Sequence, residues 1–209
     1  MVTMRPMQEG LTRVLDILVA AVALVFFLPL FVLVAVLVKL TDGGSVFFVQ
    51  ERIGRGGAAF RCLKFRTMAQ DAEARLKVLL ETDAQARDEW ARTQKLRRDP
   101  RVTLVGRFLR NSSLDELPQL INILRGEMSL VGPRPIVAAE VKRYGRDFEL
   151  YCAVKPGLTG LWQVSGRSEV AYEERVRLDA AYVRSRNLAL DLKILALTVP
   201  AVLLQRGSC

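Results

Sequence analysis

Apolar positions are unevenly distributed along this 209-residue chain. From Val14 to Val38 nearly every residue is apolar, and Asp16 is the one charge. At about 1.5 Å per residue, a helix of that length reaches across a hydrocarbon core of roughly 30 Å. Pro29 falls near its middle and removes a backbone donor, which predicts a kink at Leu28-Pro29. Arg5 and Arg13 precede the segment, and Lys39, Arg52 and Arg55 follow it. The positive-inside tendency holds both flanks on one side of a membrane. A helix that enters and leaves by the same face, with arms of about 20 Å, satisfies both features. A kinked span is the alternative the residues alone leave open. A cleaved signal peptide fits less well, because its apolar core of about 7–15 residues would end at small residues, and here Lys39-Leu40-Thr41-Asp42 follows.

The pattern then shortens. Gly43-Gly44 predicts a turn, Val46 to Val49 a short strand, and Gly54 to Gly57 a loop. Basic and apolar residues alternate from Phe60 to Arg66, as on an edge strand with one wet face. The stretch from Asp71 to Leu96 is predicted helical, with Leu76, Leu79, Leu80 and Ala84 on one apolar face and Trp90 in the core. The tail from Leu188 to Leu204 is apolar but interrupted by Asp191, Lys193 and Pro200. It either lies in a membrane interface or completes the core. There is no internal repeat and no low-complexity linker. The expected fold is mainly α with a small β element, an α+β chain with one core.

Composition narrows the chemistry. A net charge of +9 implies an anionic partner, whether nucleic acid, an anionic membrane face or a phosphorylated substrate. There is no histidine, so the commonest neutral-pH base and zinc ligand are missing. Cys62, Cys152 and Cys209 are scattered and odd in number, which predicts a reducing compartment and no disulfide framework. The basic run from Lys95 to Arg101 lies in no nucleic-acid-binding pattern, so no nucleic-acid partner is expected. Neither a phosphate-binding P-loop nor a dinucleotide fingerprint is present.

Candidate chemistry is densest from Arg107 to Pro135. Ser113-Leu114-Asp115-Glu116 reads as a capping box, which would account for both carboxylates structurally. That register puts Pro118 at the fifth helical position, where a backbone bond is normally made. A start at Asp115 would place the proline in a tolerant first turn but break the box. On a helix the two neighbouring carboxylates point about 100° apart, which favours different jobs over a shared proton. Arg107, Arg110, Arg125 and Arg134 surround them, and arginine suits bidentate phosphate binding. Carboxylates with arginines fit a magnesium-bound diphosphate. Gly132-Pro133-Arg134-Pro135 is a rigid element with one cation. The glycine-rich run from Lys155 to Arg167 carries Trp162, Gln163 and Arg167, which suit contact with a base or sugar or, for Trp162, plain packing.

The stretches FVQERIGRGGAAFRCLKFRTM, DPRVTLVGRFLR, SLDELPQLINILRGEMSLVGPRP and KPGLTGLWQVSGRS, with the hydrophobic segment before them, resemble the monotopic phosphoglycosyl transferases, also called bacterial sugar transferases. The resemblance runs from about Leu11 to Leu204. It implies transfer of a sugar 1-phosphate from a UDP-sugar to undecaprenyl phosphate with release of UMP. It makes Asp115 the nucleophile that forms an aspartyl phosphosugar, with Glu116 assisting. It implies Mg2+ at Asp115, phosphate or nucleotide binding by Arg110 and Arg134, and further substrate contacts from Lys64 and Arg66, beside the substrate-binding candidates Gln163 and Arg167 of the glycine-rich run. It also implies a re-entrant membrane helix over residues 11–40, broken at Pro29, and a compact cytosolic catalytic domain with interfacial helices over 41–209. The expected partners are the two substrates and membrane lipids at the cytoplasmic face of a bacterial inner membrane, with homodimer formation left open. The family often carries Ser-Pro at the helix break, where this chain has Leu28-Pro29. The wording GLWQVSGRS resembles members that transfer galactose or glucose 1-phosphate in exopolysaccharide or O-antigen synthesis. The competing reading from another class is a non-catalytic, membrane-anchored protein that holds anionic lipid or a partner on the same basic surface.

Overall fold

The computed structural model describes residues 6–93, 96, 98–166 and 171–203. The chain is mostly helical with two small sheets, in keeping with the α+β expectation. It opens with α1 (Pro6–Phe26) and α2 (Leu28–Asp42), followed by an antiparallel hairpin of β1 (Phe47–Ile53) and β2 (Ala59–Phe65). Next come α3 (Ala72–Thr82), α4 (Ala84–Thr93), α5 (Leu104–Ser112) and α6 (Gln119–Arg125). The remainder is β3 (Ser129–Val131), α7 (Val141–Tyr144), α8 (Phe148–Cys152), β4 (Gly157–Thr159), α9 (Leu161–Ser165), α10 (Tyr172–Ser185) and α11 (Leu188–Leu203).

The long apolar segment is two helices bent by 63°. Among the described residues no single helix is long and apolar enough to cross a membrane, while the bent pair passes that test together. The break falls at Phe27, one residue before the expected Leu28-Pro29. Proline then occupies the first turn of α2, where its missing N–H has no intrahelical partner to lose. The Phe27 and Phe31 amides still donate, each at 2.8 Å, to Ala23 and Phe27, so pairing resumes on both sides of the bend.

The two faces of α1 invert the usual globular pattern. Thr12, Asp16 and Ala20 recur every four residues and are buried, whereas Leu11, Val14, Leu18, Val22 and Val25 are exposed. Asp16 is the key to the buried stripe. Its Oδ1 accepts from the Ser129 hydroxyl at 3.0 Å and the Leu130 amide at 2.8 Å, which fastens α1 to β3. One turn earlier, Arg13 donates to the Ile123 and Leu124 carbonyls at 2.6 and 2.9 Å, capping the negative end of α6. Asp16→Ala would orphan a buried amide and hydroxyl, a loss of about 1–3 kcal/mol. A lowered thermal midpoint, with a smaller drop for Asp16→Asn, checks this.

The helix expected over Asp71–Leu96 is instead the pair α3 and α4, and residues 94, 95 and 97 lie outside the described part. Asp83 breaks it by taking an extended conformation and accepting the Ala86 amide at 3.0 Å, so this short side chain competes with the helical ladder. The main core gathers Phe60 and Cys62 of β2, Leu120 and Ile123 of α6, and Met128, Leu130, Tyr182 and Ile194. The tail helix completes it: Ile194 is buried and Asp191 accepts the Tyr182 hydroxyl at 2.7 Å. A smaller core forms where Val34 and Val38 of α2 meet Phe65 and Leu109.

The strands β3 and β4 run parallel. Gly132 donates to Thr159 at 2.9 Å and Gly157 to Pro133 at 2.8 Å, so the two loops lie backbone against backbone. A Cβ on Gly157 would overlap the Gly132 amide. This close approach is the reason the rigid Gly132-Pro133-Arg134-Pro135 element and the glycine-rich run after Lys155 carry glycine where they meet.

Candidate active site

Lys64 stands at the centre of the site because of strand parity. On β2, Phe60, Cys62 and Lys64 share one face, and the register sets Arg52, Gln50 and Phe48 opposite them on β1. Phe60 and Cys62 pack into the main core beside α6, so the same face carries the Lys64 ammonium inward. The alternation therefore puts a cation on the inner face of the hairpin.

The carboxylates arrive from a different local device. Ser113 has φ 58° and ψ 14°, the one non-glycine left-handed residue among those described. Such a conformation costs roughly 1–2 kcal/mol outside glycine. It ends α5, with the Ser113 amide on the Arg110 carbonyl at 3.2 Å, and turns the chain into a 3-10 turn over Leu114–Glu116. The capping box is not formed: the Ser113 side chain makes no cap bond and α6 begins only at Gln119. Pro118 then precedes the first helical turn, where it removes no ladder bond. Both carboxylates also reach the same partner, contrary to the divergence expected on a regular helix.

Lys64 Nζ donates to Glu116 Oε1 at 2.7 Å and lies 3.6 Å from Asp115 Oδ2. Arg134 lies 3.8 Å from Glu116. Arg110 donates its Nε to the Thr67 hydroxyl at 2.9 Å, and its charge acts on Asp115. The side chains of Asp115 and Glu116 are 13% and 24% exposed. Burial pushes the Asp115 carboxyl above the usual range, and Glu116 beside it adds to the rise against the pull of Lys64. Burial acts upward on Glu116 too, but Lys64 and Arg134 outweigh it and hold that carboxyl at about 2. Glu116 is thus locked in an ion pair, while Asp115 is a desolvated carboxylate held only loosely.

This asymmetry has a pH signature. The depressed Glu116 carboxyl supports the fold above its ordinary value of 4.5 and loses that support as pH falls from there toward about 2. Asp115, raised instead, opposes the fold when charged and is relieved on acidification. Glu116→Gln should flatten the loss of stability between those limits, as read by thermal unfolding at stepped pH.

A cleft of about 10 Å³ joins Arg52, Cys62, Lys64, Glu116, Gln119, Arg134 and Gln163. That is room for about one water. The Gln163 Oε1 is buried without a hydrogen-bond partner among the described residues. Arg134 lies 5.7 Å from the centre of the Trp162 ring, which joins the glycine-rich loop to the carboxylate pair. Of the expected substrate-binding residues, Lys64, Arg134 and Gln163 line this cleft, and Arg110 stands on the Asp115 side. Arg66 points elsewhere, into an ion pair with Asp42 at the end of α2. Arg167 lies outside the described residues. Sequence reasoning missed Arg52, which donates to the Pro135 carbonyl at 3.0 Å, and the buried Gln119. Arg52 was within reach, because β1 places it two residues from Gln50 on the same face as Lys64.

Among the described residues no group of three histidine, cysteine or acidic side chains could hold a metal alone. Magnesium asks for less: one or two carboxylates, with the rest of its shell from substrate phosphate and water. Asp115, beside the anchored Glu116, fits that donor set.

The pattern of the family described as bacterial sugar transferase matches residues 7–205. The exopolysaccharide production protein ExoY of Rhizobium meliloti is 52% identical over 204 residues, covering 98% of this chain and 90% of its own length. The undecaprenyl-phosphate galactose phosphotransferase of Salmonella typhimurium is 48% identical over 199 residues, 95% of this chain and 41% of that one. The UDP-glucose:undecaprenyl-phosphate glucose-1-phosphate transferase of Escherichia coli is 41% identical over 197 residues, 90% of this chain and 39% of that one. A match over nearly the whole chain, spanning the bent helix pair and the Lys64–Asp115–Glu116 cluster alike, makes this chain a member of the bacterial sugar transferase family, a transferase enzyme.

Proposed function

We propose that the chain moves galactose or glucose 1-phosphate from a UDP-sugar onto undecaprenyl phosphate in exopolysaccharide synthesis, through a covalent intermediate on Asp115. The observation that carries this reading is the unequal holding of the two carboxylates. Glu116 is tied to Lys64 at 2.7 Å, whereas the nearest Lys64 approach to Asp115 is 3.6 Å, which leaves Asp115 available to attack. Its oxygen bonds to the sugar-bearing phosphorus, the bond from that phosphorus to the bridging oxygen breaks, and UMP departs with that oxygen. A phosphate oxygen of the lipid then attacks the same phosphorus and returns the carboxylate. Lys64, Arg110, Arg134 and Arg52 offset the phosphate charge, and Glu116 keeps the Lys64 ammonium in place between attacks. Magnesium held by Asp115 with the diphosphate oxygens would supply further charge neutralisation when bound.

The names of relatives that act on galactose and glucose donors support this choice of sugar. Residues 11–40 form the membrane part in this reading and 41–209 the catalytic part at the cytoplasmic face. Exposed Leu18, Val22, Val25, Leu33 and Leu37 on the bent pair offer an apolar surface to lipid, and Leu104 and Phe108 of α5 lie one turn apart as an interfacial anchor. Purified protein should release UMP from UDP-galactose or UDP-glucose over many turnovers only with undecaprenyl phosphate and magnesium present, and without the lipid no more than a single equivalent per site. No release from any UDP-sugar would overturn the assignment. A cysteine placed at Gln8 should label only from the cytoplasmic side, and labelling only from the periplasm would exclude the re-entrant path.

A further inference from the structure

A second cavity, of about 340 Å³, shares no lining residue with the active-site cleft. It lies along the first turns of α1 and is strongly cationic, with Arg13, Arg55, Lys155 and Arg186 in its walls. Two carboxylates also face it, but both are engaged. Asp16 holds Ser129 and Leu130, and Glu9 pairs with Arg55 at 3.3 Å. Lys155 forms no ion pair among the described residues, and Arg186 is held only from behind the cavity, by the Tyr182 hydroxyl and the charge of Asp191. Buried donors there are also left over: among the described residues the Thr12 hydroxyl oxygen, in a residue only 5% exposed, and the Arg186 Nε have no hydrogen-bond partner. Unpaired buried donors are rare in folded chains and ask for a ligand.

We propose that this cavity binds a phosphate ester, received by Lys155, Arg186 and the Thr12 hydroxyl. Guanidinium, ammonium and hydroxyl donors together suit phosphate oxygens, with arginine providing geometry and lysine a point charge. The volume of about 340 Å³ exceeds what bare phosphate needs and leaves space for the esterified group. Burial and the nearby Arg13 charge hold the Lys155 ammonium below its ordinary pKa, so an anion there relieves a repulsion already built in. Two sources carry this chemistry. A phospholipid head group would reach the cavity from beside α1, whose other face exposes Leu11 and Val14; a soluble phosphate ester would arrive from the aqueous side.

Amine acylation of the full chain in uncharged detergent, read residue by residue by mass spectrometry, tests the site. Short-chain phosphatidylglycerol and glycerol 3-phosphate are the two probes, and exposed Lys142 is the internal control. At ten times its dissociation constant a probe should slow Lys155 acylation about tenfold and leave Lys142 unchanged. Protection by the lipid alone assigns the head group, and protection by both assigns the phosphate itself. Thr12→Val, which keeps the shape and removes the hydroxyl, and Arg186→Gln should each weaken the protection. Unslowed acylation with both probes, or full protection in both variants, overturns the site. The proposal stands on the cavity and not on the transfer chemistry, so UMP release in the same preparation reports separately on the catalytic reading.

Discussion

Asp115→Asn is expected to abolish UMP release, by on the order of a thousandfold or more, because it removes the attacking oxygen's charge while keeping the side chain's shape. The same substitution should leave the fold as stable at neutral pH or more so. Burial raises the Asp115 carboxyl, so its ionised form opposes the folded state, and the amide lifts that opposition. A group kept at a cost to stability is what a site built for reactivity shows. The paired measurement separates two readings of the residue. A structural carboxylate would lose stability along with activity, whereas a nucleophile loses activity alone. Incubation of the native protein with a UDP-sugar and no lipid acceptor should also add the mass of a hexose phosphate to the peptide bearing Asp115. Turnover at the native rate in the Asn variant would remove Asp115 from the chemistry altogether.

The parts of this architecture that were legible in the sequence are those governed by local periodicity. The apolar run, a strand beginning near Phe60 and the glycine turns all appear where their patterns place them, because each answers to neighbours a few residues away, whereas the wet face expected for the basic residues of that strand fails at Lys64, which points inward. Asp16 was legible as an anomaly but not as a solution, since its partners Ser129 and Leu130 lie more than a hundred residues on. The capping box failed for a related reason. Ser-x-x-Glu is a sound helix start in isolation, but tertiary demand on Asp115 and Glu116 selects a left-handed Ser113 and a 3-10 turn instead. Pro118 carried the hint, because its conflict with the box registered a helix that begins later. Arg66 shows the converse error. It sits two residues from Lys64 with the same charge, and strand parity alone would put both on one face, but β2 ends at Phe65 and beyond that end Arg66 turns to Asp42.

Lys64 carries the second large effect, and its structural and chemical parts can be pulled apart. Lys64→Met should lower activity by about a hundredfold or more, the scale of losing one cation that faces developing phosphate charge. It should also destabilise the fold, because Glu116 keeps only Arg134 at 3.8 Å. The cost lies between that of exposed and fully buried pairs, about 1–3 kcal/mol. The pH dependence should shift with it. With its main partner gone, the Glu116 carboxyl rises from about 2 toward or above its ordinary value, so the variant no longer loses Glu116's support on acidification. Removing both partners in Lys64→Met with Glu116→Gln should recover part of the lost stability, since Glu116 is then no longer a buried charge short of its partner, while Asp115 still lacks Lys64. It should recover none of the activity. Recovered turnover in the double variant would mean that Lys64 serves only to hold Glu116. Stability without turnover would place the ammonium among the groups that meet the substrate phosphate, with Glu116 as the residue that keeps it aimed.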